Sequence, residues 1–166
     1  MTFTIQKAIL RDCMKEIGKL GEKLVAQWLK NQNYEILQQN WRCRWGEIDL
    51  IILDPQDKAI AFVEVKTRSQ NNWDANGLFA VDSSKQQKII QTASLFLARY
   101  PQLAELPCRF DVALVSYQIL NEPVSQNITK IQQVSDLDLS LGQSLAIGKY
   151  QLAIDNYLTS AFDLSD

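Results

Sequence analysis

The chain has 166 residues, about one domain's worth, and its 46% apolar and 22% charged residues exclude wholesale disorder. It contains no histidine, which removes Ser-His-Asp and Cys-His nucleophiles, zincin helices and His-ligated zinc, and leaves carboxylates, lysine, hydroxyls or an oxygen-held metal. The formal charge of −2 argues against a strongly basic nucleic-acid coat, although residues 1–110 carry 15 Lys+Arg against 12 Asp+Glu and residues 111–166 carry 2 against 7.

From Ile17 to about Asn31 the spacing predicts a helix, with Ile17, Leu20, Leu24, Val25, Trp28 and Leu29 on one stripe and Lys15, Lys19, Lys23 and Lys30 on the other face. Gly18 and Gly21 each cost this helix about 1 kcal/mol relative to Ala, so another element is expected to pack closely there. Tyr34–Gln39 reads as a short strand. Ile48–Leu53 and Ala59–Val65 are apolar, partly β-branched runs separated by Asp54-Pro55-Gln56-Asp57, which predicts an antiparallel hairpin. Residues 69–77 read as an exposed loop, and Ser83–Arg99 as a second helix with Pro101 beyond its end. Arg109–Tyr117 and Ile128–Val134 read as strands, and 135–148 fits no single pattern. Tyr150, Ala153, Ile154, Tyr157, Leu158, Ala161 and Phe162 have helical spacing and predict a C-terminal helix. The expected fold is α/β, a mixed sheet with helices packed on it, formed by one domain over 1–166 with its core at about 17–116 and a C-terminal extension at about 117–166.

Cys13, Cys43 and Cys108 form no CxxC pair, and no run of about 18 apolar residues occurs. The expectation is a soluble, cytoplasmic protein with reduced thiols and no membrane partner.

The hairpin carries the most informative residues. Asp49 interrupts the apolar run of GEIDLII and shares a strand face with Glu47; in AFVEVKTR, Glu64 and Lys66 share one face while Val63 and Val65 take the other. Pairing through the 54–57 turn brings Asp49 toward Glu64, and two carboxylates held together repel unless a cation sits between them. Hard oxygen donors suit Mg²⁺. The alternative is that Glu64 and Lys66 are solvated on the wet face of the sheet. Glu22 lies at the border of the first helix's apolar stripe, placed either to reach over the sheet edge toward those carboxylates or to pair with Lys19 or Lys23. Arg42, Arg44, Trp41 and Trp45 crowd the approach to Asp49, and Arg68, Trp73, Lys85 and Lys88 follow Lys66. They form either phosphate contacts with stacking indoles or an apolar anchor with ordinary surface charge.

The segments GKLGEKLVAQWLKNQNYEILQQNWRCRWGEIDLI, FVEVKTR, AVDSSKQQKIIQTASLFL and RFDVALV resemble the YraN family of predicted endonuclease-like proteins, over about residues 17–116. The stretch at about 118–149 is longer than that family's connection. The family is in turn similar to the restriction-endonuclease-like PD-(D/E)xK superfamily, which includes archaeal Holliday-junction resolvases. The resemblance implies an αβββαβ core and a nuclease site dependent on Mg²⁺ or Mn²⁺. Glu22 is then the helix carboxylate, Asp49 the motif aspartate, and Glu64 and Lys66 the E-x-K pair, with Glu22, Asp49 and Glu64 as metal residues. Ile48 stands where the motif has proline. Arg42, Arg44, Arg68 and Lys85 match family positions and are candidates for nucleic-acid contact. The expected partner is nucleic acid, DNA rather than RNA, with a homodimer or protein partner fitting action on two strands. The competing class is a non-catalytic module that binds nucleic acid or protein with the same fold. No GxGxxG or GxxxxGK[ST] supports a nucleotide-binding domain.

Overall fold

A computed structural model of the chain describes residues 2–70, 81–121 and 139–162. Helix α1 spans Thr2–Asn31, followed by β1 (Glu35–Cys43), β2 (Gly46–Asp54) and β3 (Ala59–Ser69). Helix α2 (Ser83–Arg99) and a 3₁₀ turn lead to β4 (Cys108–Ile119), and β5 (Ser144–Ile147) and β6 (Tyr150–Phe162) close the order. The αβββαβ core therefore occurs in the expected order. All six strands join one mixed sheet, ordered β1-β2-β3-β4-β6-β5, in which β3 and β4 are parallel and the other neighbours antiparallel.

The sheet separates two apolar layers. Leu24, Val25 and Leu29 of α1 pack on Leu50, Ile52, Ala61, Val63, Ala113 and Val115. Ile89, Ala93 and Phe96 of α2 pack on Ile51, Ile60, Phe62, Phe110 and Val112 across the other face. Alternation along β3 sends Ile60 and Phe62 to α2 and Ala61 and Val63 to α1. Central strands buried on both faces read as nearly continuous apolar runs, as β2 and β3 do.

Helix α1 begins at Thr2, well before Ile17. From Leu10 onward, the first buried apolar residue is Ile17, and Leu10 and Met14 are exposed, so those turns lack the periodic signal that packing imposes. Helix α2 matches its expected span and is capped by Asp82, whose carboxylate accepts the Lys85 amide at 2.8 Å. Strand β1 runs past Gln39 to Cys43 and turns through Arg44-Trp45 into β2, with Cys43 opposite Gly46.

The C-terminal helix is not formed; Tyr150–Phe162 is the long strand β6, which covers the open side of β4. Tyr150, Leu152 and Ile154 alternate toward α1, and an irregularity opposite Leu114/Val115 then resets the alternation, so that Tyr157 joins the same layer. A strand with one extra residue reproduces the i, i+4, i+7 spacing of a helix. Strand β5 occupies part of the ambiguous 135–148 stretch. The strand expected at 128–134 and most of the 69–77 loop, including Trp73, lie outside the described residues. No helix among the described residues is long and apolar enough to cross a membrane, and Cys13, Cys43 and Cys108 are free thiols.

The two α1 glycines differ. A Cβ at Gly21 would overlap Thr67 Oγ1, whereas one at Gly18 would meet nothing within 4 Å. Close packing is therefore the reason for Gly21 alone. Gly18→Ala is expected to stabilise the protein by about 0.5–1 kcal/mol through helix propensity. Gly21→Ala is expected to destabilise it by about 1 kcal/mol, because overpacking outweighs that gain. Urea unfolding of both variants checks the opposite signs.

Candidate functional site

The β2–β3 ladder pairs Asp54 with Ala59 at the turn and ends at Leu50 opposite Val63. Beyond that point β2 continues to Gly46 on β1, and β3 continues to Ser69 on β4. The two strands fork, and Asp49 and Glu64 are the first residues inside the fork. The side-chain alternation of β2 breaks there too: Leu50 and Ile52 face α1, yet Ile48 joins the α2 layer. The Val65 N–H, freed from the ladder, donates to Asp49 Oδ2 at 2.8 Å. That bond anchors Asp49 against β3.

Both carboxylates are buried, Asp49 at 7% and Glu64 at 4% exposure, which removes the wet-face reading of Glu64. Glu64 Oε1 accepts from Lys66 Nζ at 2.9 Å and from Lys85 Nζ, on α2, at 3.1 Å. Glu64 Oε2 is buried with no hydrogen-bond partner. The Asp49 carboxyl is pushed up to about 7 by burial and by the Glu64 charge, against the Val65 N–H and the Lys85 charge, which hold it down.

Glu22 is half-buried on α1, and its Oε2 accepts from Asn40 Nδ2 at 3.0 Å. Burial raises its carboxyl above the ordinary range despite that bond, and Glu47 adds repulsion. The Glu22 charge in turn contributes to the rise at Asp49, so the third carboxylate faces the same fork from farther away. Among the described residues no three His, Cys, Asp or Glu side chains are gathered closely enough to hold a metal ion. Asp49 and Glu64 could hold one as a pair, since a divalent cation would meet the unpartnered Glu64 oxygen and relieve their repulsion. The Val65 carbonyl is a third candidate donor, because the N–H and C=O of an extended residue leave the strand on the same side.

The basic and aromatic candidates separate by position. Arg42 is exposed and pairs with Glu47 at 2.9 Å across the β1–β2 ladder. Arg44 lies 4.9 Å over the exposed Trp45 ring at the hairpin tip. Trp41 meets Phe96 edge-on at 5.5 Å, so of the two readings it takes that of apolar anchor. Arg68 shares the β3 face of Glu64 and Lys66 by alternation. Lys88 is exposed on α2 beside Gly46. The sequence reading missed Asn40, the partner of Glu22, and the attachment of Lys85 to Glu64. An Asn with φ of 53° beside paired arginines was the available signal for Asn40 only once the backbone was known. Nothing in the spacing joins 64 to 85.

A second buried charge cluster lies near the β2–β3 turn. Arg109 bridges Asp54 at 3.0 Å and Asp111 at 3.1 Å, and Asp111 also accepts from Tyr157 Oη and the Ser160 N–H.

The family model described as Uncharacterised protein family UPF0102 matches residues 21–115, a span that contains Glu22, Asp49, Glu64 and Lys66. The chain is 48% identical over 149 residues to UPF0102 protein sll0189 of Synechocystis, covering 90% of this chain and 99% of that one. It is 42% identical over 159 residues to a UPF0102 protein of Trichodesmium erythraeum, covering 89% and 88% of the two chains. With UPF0102 protein tll1737 of Thermosynechococcus vestitus it shares 53% identity over 105 residues, covering 63% and 84%.

The burial of Asp49 has a consequence for stability. The unfolded chain releases its proton near the ordinary 3.8, and the folded chain holds it to about 7. Stability from this group is therefore lost as pH rises through that window. Asp49→Asn is expected to be more stable than wild type at pH 8 by on the order of 4 kcal/mol, with the difference vanishing toward pH 4. Urea unfolding across that range checks it, and a pH-independent difference would show that burial of the charge is not the cause.

Proposed function

The chain belongs to the UPF0102 (YraN) family, and we propose that it is a metal-dependent nuclease that hydrolyses phosphodiester bonds in DNA, with branched or damaged structures as preferred substrates. One observation carries this reading. A buried carboxylate pair sits at a strand fork with one oxygen unpartnered and a lysine on the other.

In this reading Asp49, Glu64 and the Val65 carbonyl hold Mg²⁺ or Mn²⁺, with Glu22 supporting through water. When bound, the cation supplies charge neutralisation at phosphate and acidifies water. Asp49 needs to lose its proton to serve, and the Val65 N–H already favours its ionised form. Lys66, held beside Glu64, places an ammonium where it orients the attacking water or meets the developing oxyanion. Arg42, Arg44 and Arg68 take backbone phosphates, and the exposed Trp45 offers a stacking surface for an unpaired base. With a net charge of −2, affinity for undistorted duplex is weak and salt-sensitive, which favours a structure-selective enzyme, a homodimer with two sites or a protein partner. The cytoplasm, where thiols stay reduced, is the fitting compartment for three free cysteines.

A second reading is a non-catalytic nucleic-acid- or protein-binding module. It is favoured by the absence, among the described residues, of a three-donor metal cluster.

Labelled single-stranded, duplex, flapped and four-way DNA, together with RNA, incubated in Mg²⁺, Mn²⁺ or chelator, separate the two. Cutting is expected in Mg²⁺ or Mn²⁺ only, abolished by Asp49→Asn and slowed about 10²–10³-fold by Lys66→Ala, the range for loss of one transition-state donor. Millimolar Mg²⁺ is also expected to raise the melting temperature of wild type at pH 8 by a few degrees and to leave Asp49→Asn unmoved. Folded protein that neither cuts nor responds to the cation supports the binding module.

A further inference from the structure

Lys85 stands where a helix disfavours it. It occupies the first turn of α2, next to the Asp82 cap, where the positive end of the helix dipole opposes a cation. Its ammonium is held there by Glu64, on the oxygen that also carries Lys66, so one buried carboxylate oxygen serves two lysines while its twin serves none. The two lysines are not equivalent. Lys66 rises from the same strand as Glu64, two residues on, with 25% of its side chain exposed, whereas Lys85 reaches across from α2 with 31% exposed. A cation bound by Asp49 and Glu64 would meet the repulsion of both ammonium groups, and the one on α2 belongs to an element that carries neither carboxylate.

We propose that Lys85 is a counter-ion clasp on Glu64: it opposes the divalent cation until a nucleic-acid phosphate draws it away, so that cation and nucleic acid bind cooperatively. This rests on the metal-dependent reading of the site. Once released, the ammonium is suited to a phosphate oxygen beside the fork, while the Lys85 amide stays with the Asp82 cap. The coupling is reciprocal, since whatever the phosphate does for the cation the cation does for the phosphate. A clasp of this kind keeps the cation weakly held in the absence of nucleic acid.

The test measures Mn²⁺ binding by calorimetry and by loss of the free-ion paramagnetic resonance signal. Wild type, Lys85→Met and Lys66→Met are compared at pH 8, alone and with a nuclease-resistant phosphorothioate single-stranded DNA 12-mer. Without the oligonucleotide, Lys85→Met is expected to bind Mn²⁺ about tenfold or more tightly than wild type. The oligonucleotide is expected to tighten Mn²⁺ binding severalfold in wild type and in Lys66→Met, and to have no such effect in Lys85→Met. Equal Mn²⁺ affinity of wild type and Lys85→Met, or coupling that survives in Lys85→Met or disappears equally in Lys66→Met, overturns the clasp and leaves the metal site standing. Folded proteins that bind no Mn²⁺ in any form overturn both.

Discussion

Asp49 and Glu64 face each other in a gap from which water is nearly excluded, and their repulsion organises the site. A facing pair on a continuous antiparallel ladder would sit directly opposite across a strand pair. Here the ladder stops one step earlier, and the backbone amide released by the fork becomes a ligand of Asp49. The remaining negative charge is offset by ammonium groups brought from two different elements. Each feature follows from the same requirement, that buried carboxylates be bonded or neutralised.

The second charge cluster satisfies its carboxylates in the same sheet, although Arg109 Nη2 is buried there without a partner. Asp111 is fully buried and takes bonds from Arg109, Tyr157 and Ser160. Asp54 is also buried, yet the N–H groups of Asp57 and Gln56 together with Arg109 hold its carboxyl below the ordinary range. Those contacts tie β4 and β6 to the β2–β3 turn and leave no carboxylate oxygen of either residue orphaned. At the fork the orphaned atom is an acceptor, Glu64 Oε2, whereas in the second cluster it is a donor, Arg109 Nη2. An unpaired buried acceptor costs stability.

The helices reach the fork by different routes. Helix α1 approaches β3 closely because Gly21 has no side chain to meet Thr67, and Glu22, the next residue, is thereby carried over the sheet toward Asp49. Helix α2 is held by Ile89, Ala93 and Phe96 against the opposite face, and its capped first turn places Lys85 on Glu64. The hairpin tip of β1 and β2 lies beside the same helix, with Cys43 Sγ donating to Thr92 at 3.6 Å. Elements on both faces of the sheet therefore carry residues that act on the fork.

Elements whose burial is periodic and local are legible in the residues alone: the α1 stripe from Ile17, the α2 span, the apolar β2 and β3 runs, and the charges that interrupt them. Glu22, Asp49, Glu64 and Lys66 stood out because a charge inside an apolar run, or at the border of an apolar stripe, is costly and therefore visible. The remaining features depend on partners distant in the chain. The C-terminal segment became a strand because β4 needed a neighbour, and a residue inserted in that strand had imitated helical spacing. The binding of Lys85 and Lys66 to one oxygen, the choice of Asn40 for Glu22, and the fork that frees the Val65 amide all arise from registers and packing angles between elements. Periodicity along one chain segment carries no record of these, because it reports which face is buried and not what lies against it.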